Sequence, residues 1–421
     1  MKFALASYGS RGDVEPCVAI GRELLRRGHD VRVAAPPDLV GFVESVGLAA
    51  VPYGPEVQSI LGAHREFWTY FFRNFWKVRR LIQMRREIAN PVIQRWDEIG
   101  ATLASLADWA DVLVTGLNFE QPAANVAERY GIPLATVHLF PVRANSHFLS
   151  FLPAALGIST MKVYEWLGWR AAKKLEDTQR SELDLPKATA PLPRRIGEHG
   201  WLEIQAYDEI CFPGLTAEWA KYDAQRPFVG ALVMDLPNDA DEEVASWIAA
   251  GAPPIFFGFG SLAVESPAET LEMISSVCAQ LGERALVCSA GSDFTDVCPP
   301  EHVKVVDTMN YAAAFPACRA LVHHGGTGTT AIGLRAGVPT LILSTDIDQT
   351  LWGARVKGLK VGTARRLSRT TRESLAADLR TIVAPEYVTR AREIATRMTT
   401  PAGSVAAAAD LVEKLAISGP R

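Results

Sequence analysis

The stretch ALVHHGGTGTTAIGLRAGVPTLILST, residues 320–345, combines the signals of a strand, a glycine-rich loop, a helix and a second strand. An apolar run opens it, and helical periodicity extends from Thr329 to Ala336 before the second apolar run. Gly325, Gly326 and Gly328 carry no Cβ, so backbone N–H groups there can approach an anion closely. The positive N-terminus of the following helix also favours negative charge. The stretch therefore predicts a βαβ unit with a diphosphate-binding loop; a glycine-rich turn with a capping threonine is the alternative.

The same alternation of strands and helices runs through both halves of the 421-residue chain. The N-terminal half contains the apolar runs KFALAS, DVRVAA, LAAVPYG, DVLVTG and PLATVHLF, and the C-terminal half contains PIFFGFGSL, ALVCSAG, VKVVDTM, ALVHHGG and TLILST. A helix is predicted from Val14 to Arg27, directly after the first run. The alternation predicts an α/β fold of two Rossmann-like domains that face each other across a cleft. Ligands are then expected beyond the carboxyl ends of the strands.

The breaks in this alternation predict the domain boundaries. We expect an N-terminal domain over residues 1–212, a linker over 213–228 and a C-terminal domain over 229–400. The final helical segment, 401–421, either belongs to the C-terminal domain or crosses back to the N-terminal one. Residues 143–200 show no regular pattern and are predicted to be irregular.

Composition and charge narrow the class of protein. The formal net charge is −4, so no overall basic field points to a nucleic-acid partner. The six cysteines are far apart and form no Cys-x-x-Cys pair, which disfavours a disulfide framework or a zinc site, and no metal is expected. Met1–Ala6 is too short for a signal peptide, and no apolar run reaches the roughly 18–20 residues of a spanning helix. We therefore expect a cytoplasmic protein.

Two further glycine-containing loops follow apolar runs. These are GFGSL, residues 258–262, and SYGSRGDVEP, residues 7–16. No Gly-Lys-Ser/Thr sequence occurs, so a P-loop is excluded. The first loop of the chain lacks Gly-x-Gly-x-x-Gly, and the second strand ends in AAPP without an acid for a ribose, which disfavours NAD binding.

Both ends of the chain resemble one enzyme family. HHGGTGTTAIGLRAGVPTLILSTDIDQTLWGARV, following VDTMNYAAAFPACRALV, resembles the donor-binding signature of inverting nucleotide-sugar glycosyltransferases of GT-B fold. MKFALASYGSRGDVEPCVAIGRELLRRGHDV resembles the N-terminal signature of the branch that contains sterol, glycopeptide-antibiotic and mycobacterial glycopeptidolipid glycosyltransferases. Such families diverge over the middle, residues 60–215. The resemblance implies an acceptor-binding N-terminal domain, a C-terminal domain for a UDP- or dTDP-linked sugar as co-substrate, and no cofactor.

The resemblance also implies which residues bind the donor. In the family, a histidine and its glycine loop hold the diphosphate with a serine opposite, and an Asp-Gln pair bonds the sugar hydroxyls. Asn310 and Tyr311 fall where the family places the nucleobase. The matched positions are Ser261, Asn310, Tyr311, His324, Gly326, Gly328, Thr329, Asp348 and Gln349. Many relatives carry a glutamate for the ribose where this chain has Ile332, so UDP and dTDP both remain open.

The resemblance places a general base at Asp13. Many relatives use a histidine paired with a distant aspartate, but the partner position falls near Gly116, which offers no carboxylate. Asp13 is therefore expected to act alone and to accept the proton of the acceptor hydroxyl, a contribution of about 10²–10⁴-fold. The alternative is that Asp13 caps the helix starting near Val14, worth about 1 kcal/mol. Arg11 could pair with Asp13, line the cleft or be solvated.

One segment rich in aromatic and basic residues is a candidate for binding the acceptor. Residues 65–86, REFWTYFFRNFWKVRRLIQMRR, contain seven aromatic side chains and seven Lys or Arg against one acid, within a region, 62–100, predicted to be helical. Core packing is one interpretation, and contact with a lipid surface or an acceptor is the other. The apolar stretch 147–158 is a second such contact or a lid. The acceptor-binding candidates are Arg11, Phe71, Phe72, Trp76 and His138.

Together these features predict an inverting, metal-independent hexosyltransferase. We expect a hexose or deoxyhexose to pass from a UDP- or dTDP-sugar to a hydroxyl of a glycolipid, lipopeptide or sterol-like acceptor. Peripheral contact with the inner face of the plasma membrane is an open option for such an enzyme. The alternatives are a glycosyltransferase for a soluble polyketide or peptide, and a catalytically silent GT-B partner protein. The oligomeric state is left open.

Overall fold

The computed structural model describes residues 1–149, 152–260, 266–289 and 299–418, and the chain forms two compact units. The N-terminal unit comprises Met1–Ile60, Gln83–Val233 and Thr399–Arg421. The C-terminal unit comprises Leu61–Ile82 and Met234–Met398. Each unit is built on one parallel sheet.

The first half of the chain alternates short buried strands with helices. Its strands are β1 (Lys2–Ala6), β2 (Asp30–Ala35), β3 (Ala49–Pro52), β4 (Val112–Gly116), β5 (Leu134–His138) and β6 (Leu202–Gln205). Its helices are α1 (Arg11–Arg26), α2 (Val40–Ser45), α3 (Gln58–Asn74), α4 (Val78–Gln94), α5 (Trp96–Trp109), α6 (Glu120–Tyr130), α7 (Ala154–Glu182), α8 (Leu192–Glu198) and α9 (Leu215–Glu218). Every residue of β4 and β5 is buried, as in parallel strands covered on both faces.

The second half repeats the alternation. Its strands are β7 (Ile255–Gly258), β8 (Ala285–Cys288), β9 (Val303–Val306), β10 (Ala320–His323), β11 (Thr340–Ser344) and β12 (Gly362–Arg366). Its helices are α10 (Asp241–Ala249), α11 (Pro267–Leu281), α12 (Tyr311–Ala314), α13 (Thr327–Ala336), α14 (Ile347–Leu359), α15 (Arg372–Ile382), α16 (Pro385–Ala395) and α17 (Pro401–Ser418). The buried faces of α11 and α15 pack with the strands into one apolar core.

The strand order positions the glycine-rich loops. The N-terminal sheet has the order β3-β2-β1-β4-β5-β6, and the C-terminal sheet has the order β12-β11-β10-β7-β8-β9. Both are doubly wound orders, which reverse direction between β1 and β4 and between β7 and β10. Ligands bind such sheets at that switch point. The loops after β1, β7 and β10 therefore lie where ligands are expected, and the predicted pair of α/β Rossmann-like sheets is confirmed.

One region differs from the prediction. Residues 143–200, expected to be irregular, contain the 29-residue helix α7 and the shorter α8. The buried positions of α7 include Gly157, Glu176 and Arg180. The buried side of α7 thus carries small and charged residues, so the apolar periodicity of a core-facing side, by which a helix is usually predicted, is missing there.

The end of the chain returns to the N-terminal unit, where α17 packs against α1. Arg27, which follows α1, pairs through Nη1 with Asp410 at 2.6 Å and with Glu413 at 2.5 Å. His29 Nε2 lies 2.6 Å from the second oxygen of Glu413. These contacts, of which those to Glu413 are part-buried, attach the last helix to the C-terminal end of the first one.

The described residues were also considered for membrane-spanning helices and for disulfides. None of the described helices has both the length and the hydropathy that crossing a bilayer requires. The cysteines in the described ranges are buried and form no disulfide; they are Cys17, Cys211, Cys278, Cys288 and Cys318.

Candidate functional site

The loop between β10 and α13 exposes backbone donors at the start of a helix. Helix α13 begins at Thr327, two residues before the predicted start, with Gly326 as its N-cap. Gly325 has φ +98°, and its N–H donates to His323 Nδ1 at 3.0 Å. A Cβ at Gly325 would lie 2.7 Å from the Ile342 side chain, so the turn requires glycine. The first-turn amides of α13 have no carbonyl partner within the helix and carry its positive end.

The imidazole of His324 is packed between two glycine backbones. A Cβ at Gly260, after β7, or at Gly326, after β10, would come within 2.6 Å of its ring. Burial lowers the pKa of His324, and Asp348 only partly offsets this effect, so the ring is neutral near pH 7. Its Nδ1 is buried and has no hydrogen-bond partner among the described residues. A polar atom left in this way beside a helix N-terminus is available to a ligand.

The neighbouring loop, after β11, is held by Gln349. Its Oε1 accepts from the N–H and the hydroxyl of Thr345 at 2.8 and 2.9 Å, and its Nε2 donates to Asp346 at 3.2 Å. Asp346 caps α14 by accepting from the Gln349 N–H. Burial, and then the Asp346 carboxylate, raise the pKa of Asp348 well above its ordinary value. The structure thus brings Asp348 and His324 together, whereas the Gln349 amide is used to hold the loop.

The predicted nucleobase pair forms the start of α12. Asn310 is the N-cap: its side-chain oxygen accepts from Ala312 N–H at 3.0 Å, and its Nδ2 donates to Asp235 at 2.6 Å. The Tyr311 ring stacks on Phe315 with centroids 4.9 Å apart. Both side chains therefore have partners within the C-terminal unit. Ser261, the predicted diphosphate contact in the GFGSL loop, lies outside the described residues.

The aromatic segment belongs to the C-terminal unit as far as Ile82. Phe71 and Phe72 lie on α3, and the Arg366 guanidinium of β12 stands 3.7 Å from the Phe72 ring centroid. His64, also on α3, is near enough to Asp348 for their charges to interact. Trp76, between α3 and α4, is 62% exposed. Sequence reasoning missed that this segment lies beside Asp348, because no local pattern encodes which sheet a helix packs on.

The loop after β1 fixes the carboxylate of Asp13. Helix α1 begins at Arg11 with Ser10 as its N-cap, so the predicted cap role of Asp13 is corrected to that of the third helical residue. Asp13 Oδ2 accepts from the Ser10 N–H at 2.8 Å and from its hydroxyl at 2.9 Å. Gly9, at φ +133°, leaves room for this carboxylate, since a Cβ there would lie 2.4 Å from Oδ2. The side chain is held in place, partly exposed, at the switch point.

The surroundings of Asp13 contain an exposed arginine. Arg11 pairs with Glu15 at 3.2 Å, four residues further along α1, and its guanidinium lies 4.7 Å from the Phe42 ring centroid. Its side chain is 55% exposed. At Gly116, near which the partner of the base was sought in the sequence, a Cβ would approach the Ser7 hydroxyl to 3.1 Å.

His138, predicted to bind the acceptor, has a fully buried side chain. His138 Nε2 lies 2.9 Å from Glu120 Oε1, and Arg143 bonds the same oxygen at 2.6 Å and also contacts Glu203. Burial acts to raise the pKa of Glu120, but Arg143 and His138 outweigh it and lower that pKa to about 2. Ligand atoms of Glu120, His138 and Glu203 lie within 4.8 Å of one another, a spacing that suits a metal ion. In the structure, arginine side chains balance the two carboxylates: Arg143 contacts both, and Arg226 also pairs with Glu203 at 2.6 Å.

Comparison with known proteins identifies the family. Residues 3–149 match the model of the glycosyltransferase family 28 N-terminal domain, and residues 274–416 match that of the erythromycin biosynthesis protein CIII-like C-terminal domain. The structure of the glycosyltransferase VinC in complex with DTDP superposes with a TM-score of 0.67 at 17% identity over 100% of both chains. An uncharacterized glycosyltransferase of Mycobacterium tuberculosis is 56% identical over 99% of both chains. The chain belongs to the GT-B glycosyltransferases.

The glycosyltransferase is also similar to a plant protein named as a sterol glucosyltransferase. A sterol 3-beta-glucosyltransferase of Arabidopsis thaliana is 29% identical over 97% of this chain and 67% of its own length. The family and the fold inferred from the two terminal signatures are therefore confirmed.

Proposed function

We propose that the glycosyltransferase moves a hexose or deoxyhexose from a dTDP- or UDP-sugar to a hydroxyl of a lipophilic acceptor, with inversion at the anomeric carbon. The observation that carries this proposal is the His324 imidazole, packed between Gly260 and Gly326 and presenting an unpaired buried nitrogen beside the N-terminus of α13. A neutral ring, a positive helix end and glycine-rich backbone together suit a diphosphate.

In this proposal the leaving group is neutralised by the protein. A diphosphate bound next to His324 would raise the pKa of the imidazole, because an opposite charge favours the protonated form. The protonated ring and the α13 amides would then stabilise the charge that develops as the sugar–phosphate bond breaks. Asp348, beside His324, would bond the sugar hydroxyls, as would Gln349 after its loop rearranges. Asn310 and Tyr311 are assigned to the nucleobase by resemblance alone. VinC, whose structure is in complex with DTDP, supports a nucleoside diphosphate as the leaving group.

Asp13 is proposed as the general base. Its carboxylate would take the proton of the acceptor hydroxyl while the acceptor oxygen forms its bond to the anomeric carbon and the bond to the diphosphate breaks. The two hydrogen bonds from Ser10 orient the carboxylate before the acceptor arrives. Pre-orientation of this kind is what a positioned base requires.

The acceptor is proposed to be a glycolipid, a lipopeptide or a sterol-like molecule. The similarity to a sterol glucosyltransferase and the exposed aromatic side chains near Trp76 support it. A soluble polyketide or peptide acceptor is the second candidate, favoured by the match to a family named for erythromycin biosynthesis. A silent partner protein is the third, and it predicts that no nucleotide binds.

The test combines Asp13→Asn with a panel of ligands. Thermal shift and calorimetry with dTDP, UDP and their hexose conjugates identify the donor. Transfer to a sterol, a glycolipid and a soluble polyketide is then scored by mass spectrometry. Asp13→Asn keeps an oxygen for Ser10 and should bind the nucleotide normally, yet lose about 10²-fold or more in transfer rate. Glu23→Gln on the same helix should keep the wild-type rate. Wild-type transfer by Asp13→Asn would refute the base, and failure of every nucleotide to bind would favour the silent partner.

A further inference from the structure

The first half of α7 exposes an unusual number of large apolar side chains. Leu156, Val163, Tyr164, Trp166 and Leu167 are between 50% and 66% exposed. Such a concentration on one element is uncommon on soluble monomers and marks a surface that contacts something apolar.

These side chains form a continuous stripe along the helix. Leu156, Val163 and Leu167 are spaced by seven and four residues, which places them on one face at about 100° per residue. By the same rotation, Tyr164 and Trp166 flank that face by about 80° on either side. We call these five residues the α7 stripe. Aromatic residues that border an apolar face are typical of helices lying at a membrane interface.

The α7 stripe continues into a basic region. Arg170 and Lys174 follow Leu167 by three and seven residues and extend the same face. They line a shallow pocket of about 670 Å³ together with Lys173, Lys187, Asp177, Glu182, Thr178 and Ser181. Lys173 already pairs with Asp177 at 2.9 Å. The other three basic side chains, against Glu182 and with two hydroxyl groups, suit the phosphate of an anionic headgroup.

We propose that the α7 stripe is a docking surface for an anionic bilayer. The apolar residues enter the boundary between headgroups and acyl chains, and the basic end contacts anionic headgroups. A lipophilic acceptor, as proposed above, resides in a bilayer, and to that extent the docking surface rests on the proposed function. A second copy of the chain fits less well. Parallel pairing of two α7 helices would bring the basic ends together, and antiparallel pairing would set charges against apolar side chains.

The experiment measures co-sedimentation of the full chain with vesicles. Vesicles of phosphatidylcholine alone are compared with vesicles of equal parts phosphatidylcholine and phosphatidylglycerol. We expect about tenfold or tighter binding to the anionic vesicles and a weakening with added salt. Leu167→Glu should weaken binding about tenfold or more, whereas Leu25→Glu, at a 42% exposed position on α1, should not. Lys174→Glu should weaken anionic binding about fivefold or more, with Arg194→Glu as its control.

The outcomes separate this surface from the transferase activity. Wild-type protein that ignores both kinds of vesicle, or Leu167→Glu that binds as tightly as wild type, overturns the proposal. A dimer in light scattering that Leu167→Glu converts to a monomer, without vesicle binding, also overturns it in favour of a self-contact. Calorimetry with the nucleotide should give the same affinity for Leu167→Glu and wild type. Vesicle binding without transfer to any lipid would refute the lipophilic acceptor and leave the docking surface standing.

Discussion

Replacing Arg143 by methionine should destabilise the N-terminal unit strongly. The guanidinium lies between the carboxylates of Glu120 and Glu203, and both of these side chains are buried. The pKa of Glu120 lies at about 2 instead of its ordinary 4.5. That interval, at about 1.4 kcal/mol per pH unit, corresponds to about 3 kcal/mol of stability. Removal of one member of a buried ion pair costs about 3–5 kcal/mol, in the same range.

The same pair predicts the direction of the pH dependence. Because the pKa of Glu120 is lowered on folding, its contribution is complete above pH 4.5 and is lost as the pH falls toward 2. In Arg143→Met, His138 opposes the effect of burial without the arginine, so the pKa of Glu120 is lowered less. The stability lost on acidification should therefore be smaller in this variant.

Scanning calorimetry of the full chain at pH 7 tests the magnitude. A loss of about 3 kcal/mol should lower the melting temperature of the affected transition by about 6–12 °C for a unit of this size. Arg194→Met is the control, since the pair Arg194–Glu198 has a similar 2.8 Å distance but side chains 73% and 55% exposed. Exposed pairs contribute about 1 kcal/mol or less. Equal shifts in the two variants would refute the reasoning, because burial is the property that distinguishes them.

Two further predictions concern the C-terminal unit. Gly325→Ala should weaken binding of the nucleoside diphosphate, and the strained backbone should cost about 1–3 kcal/mol of folding stability. Gly282→Ala, at φ +68° with nothing within 4 Å of the new Cβ, is the control and should keep the affinity. Equal affinities of the two variants in calorimetry would argue against the loop as the phosphate site. Asp346→Asn retains an oxygen to cap α14 and removes one cause of the raised pKa of Asp348. A carboxyl whose pKa is raised on folding costs stability as the pH rises above the ordinary aspartate range. The variant should therefore regain part of the stability that the wild type loses there. Melting temperatures measured from pH 4 to 8 check this, and parallel curves for variant and wild type would contradict it.

Local sequence was sufficient wherever a structural feature depends on neighbouring residues. The apolar runs that became β1, β4, β7 and β10 were recognisable, because a strand covered on both faces must be apolar along its whole length. The loops that follow β1 and β10 were also recognisable, since only glycine fits a tight turn against the Asp13 carboxylate at Gly9 and against the Ile342 side chain at Gly325. The family resemblance followed from these same loops.

Tertiary structure decided what depends on distant partners. The contact of buried His138 with Glu120, eighteen residues away in sequence, could not be inferred from the local pattern around either residue. Helix α7 was hidden because it buries charged residues, and the position of α3 beside Asp348 depends on which sheet it packs against. The sequence by itself therefore determined the strands, the glycine turns and the family, which are set by local sterics and periodicity. Only the folded chain decided which polar groups are buried, because burial and the pKa values that follow from it are set by contacts between segments far apart in sequence.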